Sequence, residues 1–197
     1  MATCYSLRRP PLIRRALELA AAAIRRILFS ESSPNIGGQE LQALQQMQAL
    51  ARRGMEVKLV CRPDSGIHAV ALERGLDVAV APFRNSLHPP SLRVVYDLLA
   101  GWRPDVVTSH SGHDANICGL AARLAPRRPR LIRARTYQHG VPRAWTYNWL
   151  ADLTLVPSLE MRSKILQNPR IDPERIQILY PGVDFDQLAL QAAWPLP

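Results

Sequence analysis

Three short stretches hold the side chains best suited to chemistry: Glu31-Ser32-Ser33-Pro34-Asn35-Ile36-Gly37-Gly38, His110-Ser111-Gly112-His113-Asp114 and Tyr137-Gln138-His139-Gly140. An imidazole titrates near neutrality, so His110, His113 and His139 are candidate catalytic groups. Each can bind a hydroxyl, move a proton or hydrogen-bond a leaving phosphate. A metal held by His110 and His113 would need a third ligand from Asp114 or His139, and neither a metal nor another cofactor is expected. Gly37 and Gly38 are candidate phosphate binders. A glycine pair opening a helix lets backbone N–H groups approach a ligand closely, where the helix end carries partial positive charge. Glu31 and Asn35 in the same stretch, and Arg135 before the third, are candidates for substrate contact. Arg133 and Arg135 alternate on one strand and so share a side. Arg135 is nearer the carboxyl end and better placed to meet an anion; Arg133 is expected in a salt bridge or in solvent.

Other chemistries lack their signatures. There is no GxGxxG, and the second strand ends in Cys61-Arg62-Pro63 without the acid that holds an NAD ribose. No GxSxG elbow offers a hydrolase nucleophile. Cys4, Cys61 and Cys118 are scattered and form no CxxC pair, against a zinc or disulfide framework and in keeping with a reducing cytoplasm. Cys61 and Cys118 are expected as small packing residues.

The elements that must position these groups alternate along the chain. Strands are expected at Ile27–Ser30, Val57–Cys61, Leu76–Phe83, Val106–Ser109, Leu131–Ala134, Leu153–Val156 and Ile176–Leu179. Helices are expected at Gly38–Arg53, Ile67–Arg74, Ser91–Ala100 with Ser91 as N-cap, Asp114–Leu124, Trp145–Leu150 and Leu159–Gln167 capped by Ser158. The strands are nearly continuous apolar runs, as in a sheet covered on both faces. The fold class is therefore α/β, a doubly wound, Rossmann-like parallel sheet. In the order 3-2-1-4-5-6, ligands sit beyond the carboxyl ends of strands one and four, where the first two stretches should meet.

The sequence of 197 residues is 47% hydrophobic, enough to bury a core. It carries 25 basic against 16 acidic residues, a formal +9. Such a surface attracts nucleic acid, anionic membranes or phosphorylated substrates, or is merely a solvated arginine-rich exterior. Aromatic residues are not interleaved with the arginines, so no specific nucleic-acid partner is expected. Residues 1–26 read as a basic extension, either docked or an amphipathic helix touching a membrane. A cleaved signal is discounted because Leu17–Ile24 runs straight into the first strand. Residues 27–185 read as the domain and 186–197 as a truncated tail.

These residues resemble the N-terminal domain of family 4 retaining glycosyltransferases, which have the GT-B fold. ILFSESSPNIGGQE (27–40) looks like that family's first strand and glycine loop. LARRGMEVKLV (50–60) looks like its entry to the second strand, with Met55 where histidine is usual. RPDVVTSH (103–110), ADLTLVPSLEMRSK (151–164) and PERIQILYPGVD (173–184) resemble its strand four, strand six and crossing segment, with Pro181 in place of asparagine. The resemblance implies that this half holds the acceptor, a glycan or lipid-linked molecule of cell-envelope polysaccharide or lipopolysaccharide synthesis. It implies a nucleotide-sugar donor gripped mainly by a second domain, whose motifs are not in this sequence. It carries the donor phosphates onto Gly37 and Gly38, the strand-four histidine onto His110 and, at a small offset, a further histidine onto His139. The expected place of action is the cytoplasm, at the inner face of the membrane where an anionic surface is engaged. A non-catalytic sugar-binding module, or an inactive remnant lacking the donor domain, is the alternative.

Overall fold

The computed structural model describes residues 24–137 and 140–182. Cys4, most of the basic N-terminal extension, His139 and the tail lie outside them. Seven parallel strands form one sheet: β1 (Arg26–Glu31), β2 (Glu56–Cys61), β3 (Asp77–Val80), β4 (Val106–Ser109), β5 (Arg130–Ala134), β6 (Leu153–Val156) and β7 (Ile176–Ile178). Their order is β3-β2-β1-β4-β5-β6-β7, so the reversal falls between β1 and β4, where the sequence places it. Ile27 pairs with Val106 and Ser30 with Ser109, which brings the ends of β1 and β4 level.

Among the described residues six helices connect the strands: α1 (Gly38–Arg52), α2 (Gly66–Glu73), α3 (Pro89–Trp102), α4 (Gly112–Leu124), α5 (Ala144–Asn148) and α6 (Leu159–Leu166). Alternation along the strands divides the core in two. Ile27, Phe29, Leu59, Cys61 and Val106 pack against Leu44 and Met47 of α1 and Ile67 of α2. Leu28, Val60, Val107 and Leu131 pack against Val95 and Leu99 of α3 and Ile117 and Ala121 of α4. On that second face Tyr147 of α5 and Ile165 of α6 close over Val156 and Ile176. The first face, over β5 to β7, carries no helix among the described residues.

Most boundaries lie within two residues of expectation, and two of the differences share one reason. Ser91 is not the N-cap of α3. His88 holds that position, and Pro89 and Pro90 follow it, two residues without an N–H to cap. The Ser91 hydroxyl is instead buried and accepts the Phe83 N–H at 2.8 Å. Phe83 has left the sheet with φ +39°, so β3 ends at Val80 rather than running to Phe83. Elsewhere the local signals hold: Gly54 stops α1 at φ +81°, and Ser158 Oγ accepts the Met161 N–H at 3.2 Å to start α6. Cys61 and Cys118 are buried, and burial pushes their thiols up to about 11 and about 12. Both are packing residues. No described helix is long and apolar enough to cross a membrane.

Candidate functional site

The ends of β1 and β4 are tied together by two buried carboxylates. Asp114, in the first turn of α4, is fully buried. Its Oδ2 accepts the Ser30 hydroxyl at 2.8 Å and the His110 N–H at 3.2 Å, and its Oδ1 accepts the Ser32 hydroxyl at 3.1 Å. Burial, and then the nearby Glu31 charge, push the Asp114 carboxyl up to about 8. At neutral pH it is therefore mostly protonated. Glu31 is buried as well and accepts the Ser33 N–H at 2.8 Å, the Ser111 hydroxyl, and the Gln39 side-chain amide at 2.9 Å. With its oxygens engaged in this way, Glu31 acts as a tie between β1, α1 and α4 and is not open to a ligand.

His110 follows β4 and is buried, its ring stacked on Phe29 with centroids 5.8 Å apart. Its Nδ1 lies 3.2 Å from the Ser30 carbonyl oxygen. A carbonyl only accepts, so Nδ1 carries the proton and Nε2 of the neutral ring is the acceptor. Burial holds the imidazole below its ordinary pKa, against the opposing pull of Glu31. The ring is thus a neutral, oriented base or hydroxyl acceptor.

His110 lines an open groove with Gln39, Gln42 and Gln46 of α1, Thr108 of β4, and Arg135 and Thr136 beyond β5. This is the face of the sheet that no helix covers over β5 to β7. The groove encloses only about 50 Å³, against the roughly 300 Å³ or more of a typical small-molecule pocket. Gln39 fixes its rim: its side-chain oxygen accepts the Thr136 hydroxyl at 2.6 Å while its amide holds Glu31. The chain Ser111–Glu31–Gln39–Thr136 therefore links the loops after β4, β1 and β5.

The glycine turn stands beside this groove. Gly37 and Gly38 are exposed and open α1, as expected. However, the Gly37 N–H already donates to Glu40 Oε2 at 2.8 Å, so a carboxylate occupies part of the helix end that a phosphate would use. Asn35 is exposed in the same loop, with its N–H on Ser33 Oγ at 3.3 Å. His113 turns away from His110: it is exposed, with Nδ1 2.9 Å from Ser86 Oγ on the loop before α3. Arg135 reaches the groove and the start of α4, its Nη1 3.9 Å from where a Cβ on Gly112 would stand. His139 lies outside the described residues.

The structure thus joins His110, Arg135 and the residue after the glycine pair, and separates His113 from them. Sequence reasoning missed Gln39 and Thr136, and it gave Asp114 only a metal-binding alternative. Among the described residues no His, Cys, Asp and Glu group is disposed to hold a metal ion. It also expected Arg133 in a salt bridge or in solvent. Arg133 is instead buried, with its guanidinium 4.8 Å from the Tyr147 ring. A strand so placed buries alternate residues whatever their type, and α5 covers this position.

The doubly wound sheet with its groove at the switch point matches one half of the GT-B glycosyltransferase architecture. Residues 36–187 match the family model for Glycosyltransferase Family 4, and the chain belongs to that family. Three solved structures share the fold. A glycosyltransferase from Rickettsia africae superposes with a TM-score of 0.73 at 15% identity, over 88% of this chain and 47% of that one. HepE from Anabaena, in complex with UDP and glucose, gives 0.66 at 18% identity over 85% and 50%. The lipopolysaccharide outer core galactosyltransferase WaaB gives 0.60 at 12% identity over 82% and 46%. The chain spans about half the length of these structures. A search of curated proteins gives no match.

Proposed function

We propose that this chain, with residues 27–185 as its domain, is the acceptor-side half of an enzyme that transfers a sugar from a nucleotide-sugar donor to a glycan or lipid-linked acceptor. One observation carries the reading: His110 is buried, neutral and held in one tautomer at the groove where the sheet reverses. A transition state of oxocarbenium character needs the accepting hydroxyl oriented toward the sugar and charge stabilised on the leaving diphosphate. Nε2 of His110 suits the first task, as acceptor for a sugar or acceptor hydroxyl. The start of α1 suits the second, with the amides of Gly38 and Gln39 as its remaining donors, since Glu40 takes Gly37. Glu31 and Asp114 are positioning residues: they fix the backbone of His110 and the start of α4 without touching substrate. A UDP-sugar donor is supported by HepE, which binds UDP and glucose on the same fold. A cell-envelope acceptor at the inner face of the membrane is supported by the likeness to WaaB and by the formal +9 charge.

The test is titration of the chain with glycan acceptors, alongside UDP release from UDP-sugars. Saturable acceptor binding that His110→Ala weakens, together with turnover, is the expected result. Binding without turnover favours the non-catalytic module, which the small volume of the groove also supports. Absence of binding to every acceptor and donor tried would overturn both readings.

A further inference from the structure

Arg133 is a buried charge with nothing to pair it. It is 6% exposed, its Nε has no hydrogen-bond partner among the described residues, and none of the ion pairs among them includes it. Its guanidinium lies 4.8 Å from the Tyr147 ring. Arg135 repeats the pattern two residues on. Its Nε is also buried without a partner, and its guanidinium lies 5.4 Å from the Tyr137 ring. The two cations repel: burial first, and then Arg135, bring the Arg133 guanidinium down to about 10. The acid whose field reaches Arg133 is Asp114, and at neutral pH its own burial keeps it largely protonated.

Neutral polar groups and a helix end surround the pair. The cleft at Arg133 is bordered by Asn116 of α4 and Thr146 of α5. Arg135 stands 3.9 Å from the Cβ position of Gly112, in the first turn of α4. Ser111, the N-cap of that helix, makes no capping hydrogen bond and spends its hydroxyl on Glu31. The first amides of α4 are thus left without a side-chain acceptor, at the helix end that favours negative charge. The buried Arg133 guanidinium without a counter-charge is unfavourable, and half-buried Arg135 adds repulsion; an arriving phosphate relieves both through forked hydrogen bonds.

We propose that Arg133 and Arg135, with the first turn of α4, bind a phosphate group, and that the phosphate belongs to the acceptor. The site lies next to the His110 groove but on the other side of Arg135, away from the glycine turn where the donor diphosphate is placed. Only the word acceptor rests on the transferase reading; the anion site does not.

The experiment is thermal unfolding of the full chain in inorganic phosphate, against chloride at matched ionic strength. A hexose phosphate and phosphatidic acid vesicles serve as further arms, with Arg133→Met and Arg135→Met as variants. Phosphate is expected to raise the Tm of the parent. Arg133→Met, which deletes an unpaired buried charge, is expected to melt higher than the parent without phosphate and to lose about tenfold or more in apparent phosphate affinity. Arg135→Met keeps the Arg133 packing and is expected to weaken the response in the same direction. A larger shift with hexose phosphate than with phosphate places the group on a soluble acceptor, and Arg133-dependent vesicle binding places it on a lipid. No response from the parent in any arm, or a response that both variants retain, overturns the proposal. Phosphate binding without sugar transfer leaves the anion site standing and removes the transferase reading.

Discussion

His110 and Asp114 sit four residues apart and are pushed in opposite senses by the same burial. The imidazole is held below its ordinary value and the carboxyl is raised to about 8. Both shifts favour the neutral form, and each has a pH consequence. A folded-state pKa above the unfolded value gives stability that is complete below about 4 and declines as pH rises through about 8, so Asp114 makes the fold weaken across that window. The lowered His110 acts the other way: its share is complete above the unfolded value near 6.5 and is lost as pH falls below it. Asp114→Asn can reproduce the bonding, with its oxygen on the His110 N–H and its amide on Ser32. Urea unfolding from pH 4 to pH 8 is expected to show a flatter stability profile for Asp114→Asn than for the parent; equal slopes would refute a protonated Asp114. For His110→Ala, a loss of about a hundredfold in turnover is expected from removal of a general base, together with a lower Tm because the ring packs on Phe29. Equal turnover in parent and variant would leave the ring a packing group.

The loops that form the groove are held by elements through very few contacts. Gln39 alone bridges Glu31 and Thr136, so Gln39→Ala leaves a buried carboxylate oxygen without its donor, at a cost of about 1–3 kcal/mol. Hydrogen exchange should speed at Thr136 and Tyr137 in that variant while the amides of β1 and β2 stay protected. A uniform change across the sheet would mean that Gln39 supports the whole fold rather than the rim. Gly119 of α4 tests element packing. A Cβ there would stand 2.8 Å from both the Cβ and the carbonyl oxygen of Leu150. Gly119→Ala is expected to destabilise by about 1–3 kcal/mol by overpacking, read as a lower denaturant midpoint at unchanged slope. An unchanged midpoint would show that the loop after α5 gives way freely.

At the scale of the whole molecule, the described helices cover one face of the sheet throughout and the other only as far as β4, with the groove at the boundary. The groove is small and open, and its lining mixes Gln39, Gln42, Gln46 and Arg135 with apolar Leu155, Val156 and Leu179. The excess of basic charge acts at long range and is screened by salt. Any DNA binding by this chain is expected to be independent of sequence and to fall about tenfold or more between low and physiological salt. Binding that is sequence-selective at physiological salt would restore a nucleic-acid role.

Much of the architecture was legible from local patterns, because they need no tertiary information. Apolar runs at Leu28–Phe29, Leu59–Val60 and Val106–Val107 with intervening 3.6-period stripes dictate alternating strands and helices, and parallel right-handed crossovers then leave few strand orders. The switch point, and hence the meeting of the Gly37 and His110 loops, followed from that order. What the chain alone could not reveal is where each side chain points once the loops close. His110 and His113 are equivalent in composition, but a helix begins at Gly112 and turns the second ring toward Ser86. Glu40 reads as an ordinary helical acid until its carboxylate folds back onto Gly37. Arg133 reads as a surface cation until α5 lays Tyr147 over it. Strand and helix periods are set by neighbours in sequence, whereas protonation, burial and unmet charge are set by neighbours in space.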